Sequence, residues 1–419
     1  MVSNLPSRFS LLLDAVKRVN TRVELASVLG TIMDAAKTIM DAEAASLMML
    51  DPKSQELIIT LPTGPVSAEI SGLRIPPGKG FSGWVASQGE PLIANDARND
   101  PRFFGDLAKS PFRTKNLICV PLRDSQGQVT GVLQAINRKD NGVFEENDIP
   151  LFSAFADQAA IAIEKSQLYQ ASLEKERLEQ QLALAREIQV GFWPKEIPRY
   201  DRVTLAGKSW PASQVGGDYY DVVPIDSRRC ALIIADVSGK GIAAAMIMAA
   251  VRGALRTQMD SQVSLSEITA ALNRMLVRDT PIEKFLTLFW AILDTETLEL
   301  TYTNAGHNPP FVFNARTETA DELSEGGPVL GLLPDLTFAS SRRVLRPGDL
   351  LVMYTDGIVE AQNVAEEMYG DERLLARFPE ASACDAQGAL DLIERDVNSF
   401  SAGAPQYDDA TLVIAKVKG

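Results

Sequence analysis

Only one histidine, His307, occurs among 419 residues. That scarcity nearly excludes zinc sites built on several His or Cys ligands, and relays that need more than one His. Any bound metal would need oxygen ligands, which points to Mg, Mn or Ca. Cysteine is as scarce: Cys119, Cys230 and Cys384 are odd in number and far apart, so no disulfide framework is expected. Basic charge is short too, with 41 Lys and Arg against 55 Asp and Glu, a net charge of −14. Such a surface does not adhere broadly to nucleic acid or anionic membrane, and suits protein partners or cations. Long apolar runs are also missing. "IAAAMIMAAV" ends at Arg252, well short of the roughly 18 residues of a membrane span. The leucine run interrupted by Asp14 is too short for a signal peptide. A soluble, cytoplasmic protein is expected.

What is present is a folded composition, 46% apolar and 23% charged, in a chain too long for one core. Leu25, Val28, Leu29, Ile32, Met33, Ala36 and Ile39 recur at helical spacing, after a helix expected over 1–20. Paired strands follow, "ASLMML" with "ELIITL" and "LICVPL" with "VTGVLQAI". From 145 to 190 the chain reads as one helix, because no Pro or Gly falls between Pro150 and Gly191. Within it Ile161, Leu168, Ala171, Leu178, Leu182 and Ala185 form a heptad seam, which reads as a coiled-coil linker. "GFWPKEIP" ends it. Beyond lie the strand-like runs "VTLAGKSW", "YYDVVPI", "CALIIADV", "FLTLFWAIL", "LELTYTNA", "PFVF", "LLVMYTD" and "ATLVIAKV", with helices near 242–259 and 265–277. The fold class expected is α+β, divided as 1–20 N-terminal helix, 21–163 first domain, 164–193 linker and 194–419 second domain.

In the second domain, aspartates sit at the ends of apolar strands: Asp218 and Asp221 in "GGDYYD", Asp236 in "IIADVSG", Asp356 in "MYTDGI", Asp408 and Asp409 in "QYDDATLVI". A single Asp there is most simply a turn former. Several together are costly at buried strand ends unless paired or bound to cations. "SGKG" at 238–241 is not a P-loop. The first glycine is missing, and Gly241 stands where Ser or Thr would bind Mg.

"GGDYYD", "ADVSGKG", "TNAGHNPP", "GPVLGLLPD", "YTDGIVEA" and "DDATLVI", after the lead-in "LAREIQVGFWP", resemble in order the SpoIIE/RsbU branch of the metal-dependent (PPM) protein serine/threonine phosphatases. The resemblance covers roughly 185–419 and implies a β-sandwich flanked by helices. It implies two Mn or Mg ions, with Asp236 bridging them and the Val237 carbonyl on one. Asp356 and Asp408 would hold the second ion, with Asp409 as the alternative to Asp408, and Asp218 would engage the first. The ions would activate a water for in-line attack on a phosphoserine or phosphothreonine. The acid that precedes the first Asp in eukaryotic relatives is Gly217 here, and no phosphate-gripping cation is identifiable, although Lys240 is a candidate for substrate contact. His307 is read as ordering a turn rather than as the general acid.

Residues about 20–165 resemble a GAF domain through "GKGFSGWVASQGEPLIANDARNDPRF", "NLICVPL" and "GVLQAIN". "GKGFSG" fits the dinucleotide pattern only formally, because Pro76 and Pro77 precede it rather than a strand. Asn137, Phe144 and Asp148 partly match the signature of cyclic-nucleotide-binding GAF domains, with Ile149 in place of an acid. Cys119 reads as a buried apolar thiol. A diguanylate cyclase would need an acidic residue where Tyr219 stands, and a sensor kinase would need a histidine in the linker. The two resemblances imply a GAF-regulated phosphatase, homodimeric through GAF and coiled coil, acting on a phosphorylated STAS-type anti-sigma-factor antagonist. The alternative is a weak or inactive signalling scaffold on the same fold.

Overall fold

In the computed structural model, residues 5–21, 24–65, 67–105, 112–259 and 263–419 are described. The expected N-terminal helix is α1 (Leu5–Asn20), with residues 1–4 outside the described set. The chain divides into two units, Met1–Leu178 and Glu179–Gly419.

In the first unit, α2 (Leu25–Met40) buries Val28, Ile32, Met33, Ala36 and Ile39, the stripe read from the sequence. It precedes strands β1 (Ala42–Leu50) and β2 (Leu57–Pro62), helix α3 (Ser67–Ile70), β3 (Arg74–Ile75), α4 (Gly80–Gln88), β4 (Leu92–Ala94), β5 (Leu117–Arg123) and β6 (Val129–Arg138). The sheet order is β3-β2-β1-β6-β5-β4, antiparallel throughout. Alternation divides β5 between two cores. Ile118, Val120 and Leu122 face the helices, whereas Leu117 and Cys119 join Phe81, Val85 and Ile59 on the opposite face. Burial there pushes the Cys119 thiol up, away from ionisation.

Helix α5 (Asp148–Val190) runs 43 residues without a break. Its first turns bury Phe152, Phe155, Ala156 and Ala159 against the first sheet. Of the heptad residues, Ile161, Leu168 and Leu178 are exposed in the single chain. No helix among the described residues is long and apolar enough to cross a membrane.

The second unit contains β7 (Val203–Trp210), β8 (Tyr219–Pro224), β9 (Arg229–Val237), α6 (Ile242–Gln258), α7 (Leu265–Asp279), β10 (Leu286–Asp294), β11 (Glu299–Ala305), β12 (Phe311–Asn314), β13 (Thr319–Glu322), β14 (Gly326–Gly327), β15 (Ser341–Val344), β16 (Leu350–Tyr354), helices α8 (Asp356–Val359), α9 (Gly370–Ala376), α10 (Phe378–Ser382) and α11 (Ala386–Phe400), and β17 (Ala410–Val417). One sheet runs β14-β11-β10-β9-β8, with β15 also on β11, and the other β13-β12-β16-β17-β7. Leu232, Ile234, Phe289 and Ala291 of the first meet Leu351, Met353, Val413 and Ala415 of the second in a shared core. The outer face of the first sheet is covered by α6 and α7, through Met248, Val251, Ile268 and Leu272. The other is covered by α8–α11, through Ile358, Leu374, Phe378, Leu390 and Ile393. The α+β expectation holds, as four layers of helix, sheet, sheet and helix. Helices α9–α11 were not anticipated, although α11 carries a sequence signal: Asp385 caps it through the Gly388 N–H, ahead of a buried stripe.

Candidate active site

Each central strand of the sandwich sends alternate side chains into the shared core, and at one end that alternation delivers a polar residue. In β9 the inward series Cys230, Leu232, Ile234 ends at Asp236. Tyr220 and Val222 of β8 are preceded by Asp218. Leu351 and Met353 of β16 lead to Thr355, and Val413 and Ala415 of β17 follow Thr411 and Asp409. Thr287, directly opposite Asp236, precedes Phe289. Five strand ends thus make one polar layer over an apolar core, and Asp218 and Asp236 lie within it.

Asp218 is 3% exposed. Its Oδ2 accepts hydrogen bonds from Thr355 Oγ1 at 2.8 Å and Thr411 Oγ1 at 2.6 Å, whereas its buried Oδ1 has no partner among the described residues. Burial, then the charge of Asp236, raise its carboxyl well above the usual carboxylate range, against the opposing hydrogen bonds of the two threonines. Burial pushes Asp236 up to about 7, reinforced by Asp356 and Asp408, with neighbouring Asp218 acting the other way. Asp356 opens α8 and is pushed up to about 6 by burial, Glu360 and Asp408, with the Gly357 N–H and Lys240 acting the other way. Carboxyl groups that raise one another's proton affinity in this way share one electrostatic site.

The adjacent Asp408 and Asp409 diverge. Asp409 is buried and turned onto backbone: its Oδ1 accepts from Ala212 N at 2.8 Å and its Oδ2 from Gly217 N at 2.7 Å. Asp408 is less buried, ion-pairs with Lys240 Nζ at 3.1 Å and repels Asp236 and Asp356. Lys240 also donates to the Tyr407 carbonyl. Gly217 lets the chain pass close to β9. A Cβ there would lie 2.8 Å from the Val237 carbonyl oxygen and 3.5 Å from Asp236 Oδ1.

Asp221 does not belong to this cluster. Alternation turns it to the helical face, where Arg256 holds both its oxygens and the Tyr219 hydroxyl donates to it. His307 is 3% exposed, and burial lowers its pKa to about 4, so the ring is neutral. Its Nδ1 lies 2.8 Å from Thr287 Oγ1, and its backbone is gripped by Asn304, which accepts from the His307 N–H and donates to its carbonyl.

Sequence reasoning missed Thr355, Thr411, Gln189 and the backbone-holding role of Asp409. The two threonines were detectable, since they continue the inward alternation of β16 and β17. Gln189, near the end of α5, had no such signal: its amide bonds the main chain of Gly216, distant in sequence.

In the first unit, Asn137 near the end of β6, Phe144 in the connection that follows and Asp148 at the start of α5 are buried. Asn137 accepts from Lys115 N and donates to Glu43 and the Arg113 carbonyl. The backbone of Phe144 is bonded twice by Asn95. Asp148 accepts from Arg138 and from Glu145 N. None of the three lines the cavity bounded by Ser46, Met48, Phe81, Phe103, Phe112 and Gln134.

Among the described residues no three His, Cys, Asp or Glu side chains stand as a group that could hold a metal ion. The donor chemistry nevertheless suits a hard divalent cation. The site offers acidic oxygens, a buried carboxylate oxygen without a partner among the described residues, and a Val237 carbonyl that a Cβ at Gly217 would crowd.

Two family models match the chain: GAF domain over residues 24–163, and Stage II sporulation protein E (SpoIIE) over residues 226–418. Protein IcfG of Synechocystis sp. is 28% identical over 260 residues, 56% of this chain and 41% of IcfG. The chain therefore spans less than half the length of that relative. Phosphoserine phosphatase RsbU of Bacillus subtilis is 26% identical over 246 residues, 58% of this chain and 72% of RsbU. The SiaA-PP2C domain of Pseudomonas aeruginosa shares the fold, with a TM-score of 0.51 at 16% identity, over 58% of this chain and 99% of that domain.

Proposed function

The chain joins a GAF domain to a SpoIIE-family domain, and on that premise we propose that it is a metal-dependent protein serine/threonine phosphatase regulated through its GAF domain. The observation that carries the reading is the polar layer itself. Carboxyl groups from separate segments meet at one sandwich end, and burial together with neighbouring negative charge raises the proton affinity of Asp218, Asp236 and Asp356, a cost that a bound cation would offset.

Asp218, Asp236, the Val237 carbonyl, Asp356 and Asp408 would hold two Mn or Mg ions, Asp408 being chosen over Asp409 because Asp409 is bonded to two backbone amides. When bound, the ions supply Lewis acidity that activates a water nucleophile and offsets phosphoryl charge. The chain's own contribution is preorganisation. Thr355 and Thr411 fix one oxygen of Asp218 and leave the other available. Asp409 holds the preceding loop. Asp236 and Asp356, raised to about 7 and about 6, would serve as ligands in their carboxylate form, which a neighbouring cation would favour. Neutral His307 braces Thr287 and stays out of the chemistry. Lys240, beside Asp408, would meet a substrate phosphate. A groove lined by Trp210, Ile358, Glu360, Val397, Tyr407 and Asp408 opens beside it and would receive the phosphoprotein.

We take the substrate to be a phosphoserine protein, specifically a STAS-type anti-sigma-factor antagonist in cytoplasmic partner-switching signalling. Similarity to a protein named phosphoserine phosphatase supports the phosphoserine part of this reading. The apolar residues exposed along α5 support a coiled-coil homodimer, and the GAF cavity rather than Asn137, Phe144 and Asp148 is the place for a regulatory ligand. The test is phosphate release from a phosphoserine protein by the full chain with Mn, with EDTA, and with Asp356→Ala. Release abolished by chelation and by the substitution supports the mechanism. Release indifferent to both removes it.

A further inference from the structure

Gln189 is 4% exposed, although the residues on either side of it in α5, Ile188 and Val190, are both exposed. Its Nε2 donates to the Gly216 carbonyl at 2.6 Å, and its Oε1 accepts from the Gly216 N–H at 3.0 Å. One side chain thus satisfies both main-chain groups of one residue, as a neighbouring strand would. Gly216 itself is confined, because a Cβ there would overlap the Asp409 carboxylate. The next residue, Gly217, donates to Asp409, and the one after is Asp218. The segment before Asp218 is therefore clamped from two sides, by a helix-borne amide and by a strand-borne carboxylate.

We propose that Gln189 is a positioning residue: by holding Gly216 it sets where Asp218 presents its free Oδ1. The proposal rests on the reading of Asp218 as a metal ligand in a phosphatase. Gln189 lies in the last turn of α5, a single helix from Asp148 to Val190. The clamp is built for an amide. Methionine matches glutamine in length but offers neither group, and glutamate keeps the acceptor for Gly216 N–H while losing the donor to its carbonyl.

The experiment compares full-length wild type, Gln189→Met and Gln189→Glu, with Glu187→Ala, an exposed change one turn-face away, as control. Amide hydrogen exchange of the 212–218 segment is read without metal, Mn affinity by calorimetry, and kcat and KM on a phosphoserine protein. Gln189→Met is expected to speed exchange, weaken Mn binding by about 10- to 100-fold and lower kcat with KM unchanged. Gln189→Glu should fall between it and wild type, and Glu187→Ala should match wild type. Exchange, Mn affinity and kcat all unchanged in Gln189→Met would overturn the proposal. So would a lowered melting temperature with wild-type Mn affinity and kcat per folded molecule, which is the outcome for a purely structural residue. If wild type neither binds Mn nor releases phosphate, the phosphatase reading fails instead, and the exchange result alone decides whether the clamp exists.

Discussion

Two buried polar clusters in this chain are built on opposite terms. In the GAF domain, Asn137, Arg138 and Asp148 satisfy one another, neighbouring side chains and local backbone, and Asn137 takes a left-handed φ of 54° that asparagine tolerates. In the second unit, Asp236 raises the proton affinity of Asp218, Asp356 and Asp408 raise that of Asp236, and a buried oxygen of Asp218 has no partner among the described residues. Polar groups that hold a fold are paired; groups arranged for chemistry are left wanting a ligand. The sequence suggested ligand binding for both clusters, and their hydrogen bonding differs.

The largest effect should come from the unsatisfied cluster. Asp236→Asn is expected to cut phosphate release on the order of 10³-fold, the scale of losing several kcal/mol of cation stabilisation. The metal-free variant should melt no lower than wild type, because the substitution removes a buried repulsive charge. A variant that melts much lower would place Asp236 with the structural class.

Next in size is the contrast between the neighbouring aspartates. Asp409→Ala orphans the amides of Ala212 and Gly217, each at about 1–3 kcal/mol, and should lower the melting temperature clearly. Asp408→Ala breaks a half-exposed ion pair worth about 0–1 kcal/mol, so its melting curve should barely move while Mn binding weakens. The reverse pattern would exchange their roles.

In the paired cluster, Asp148→Asn should destabilise the GAF domain by about 1.5–3 kcal/mol, measured by denaturant unfolding, with Mn affinity of the full chain unchanged. The smallest effect is one of pH. The carboxyls of Asp236 and Asp356 are raised to about 7 and about 6, so in the metal-free protein protonation favours the fold. Their contribution is present in acid and is lost as pH rises from about 4 through 7. Mn affinity should strengthen over that same interval as protons leave, measured by calorimetry in buffers of different ionisation enthalpy.

The strands of the second domain were legible because their alternation is strict, and α5 because nothing interrupts it. The aspartates at strand ends stood out for the same reason: a charge after "ALIIA" is conspicuous. Asp408 and Asp409 could not be told apart, since adjacent residues entering a strand point to opposite sides and the sequence does not say which side is which. Asp221 looked like a member of the set because its partner, Arg256, lies on a helix 35 residues away. Gln189 was invisible for a related reason, as a side-chain amide bonding distant backbone leaves no periodic trace.

The central claim is that the acidic end of the sandwich is a metal centre, and titration of Mn into the chelator-stripped full chain tests it most directly. Saturable binding in wild type, lost in Asp236→Asn while both proteins remain folded by circular dichroism, is the result predicted here. Equal binding by the two proteins, or none by the folded wild type, would contradict it.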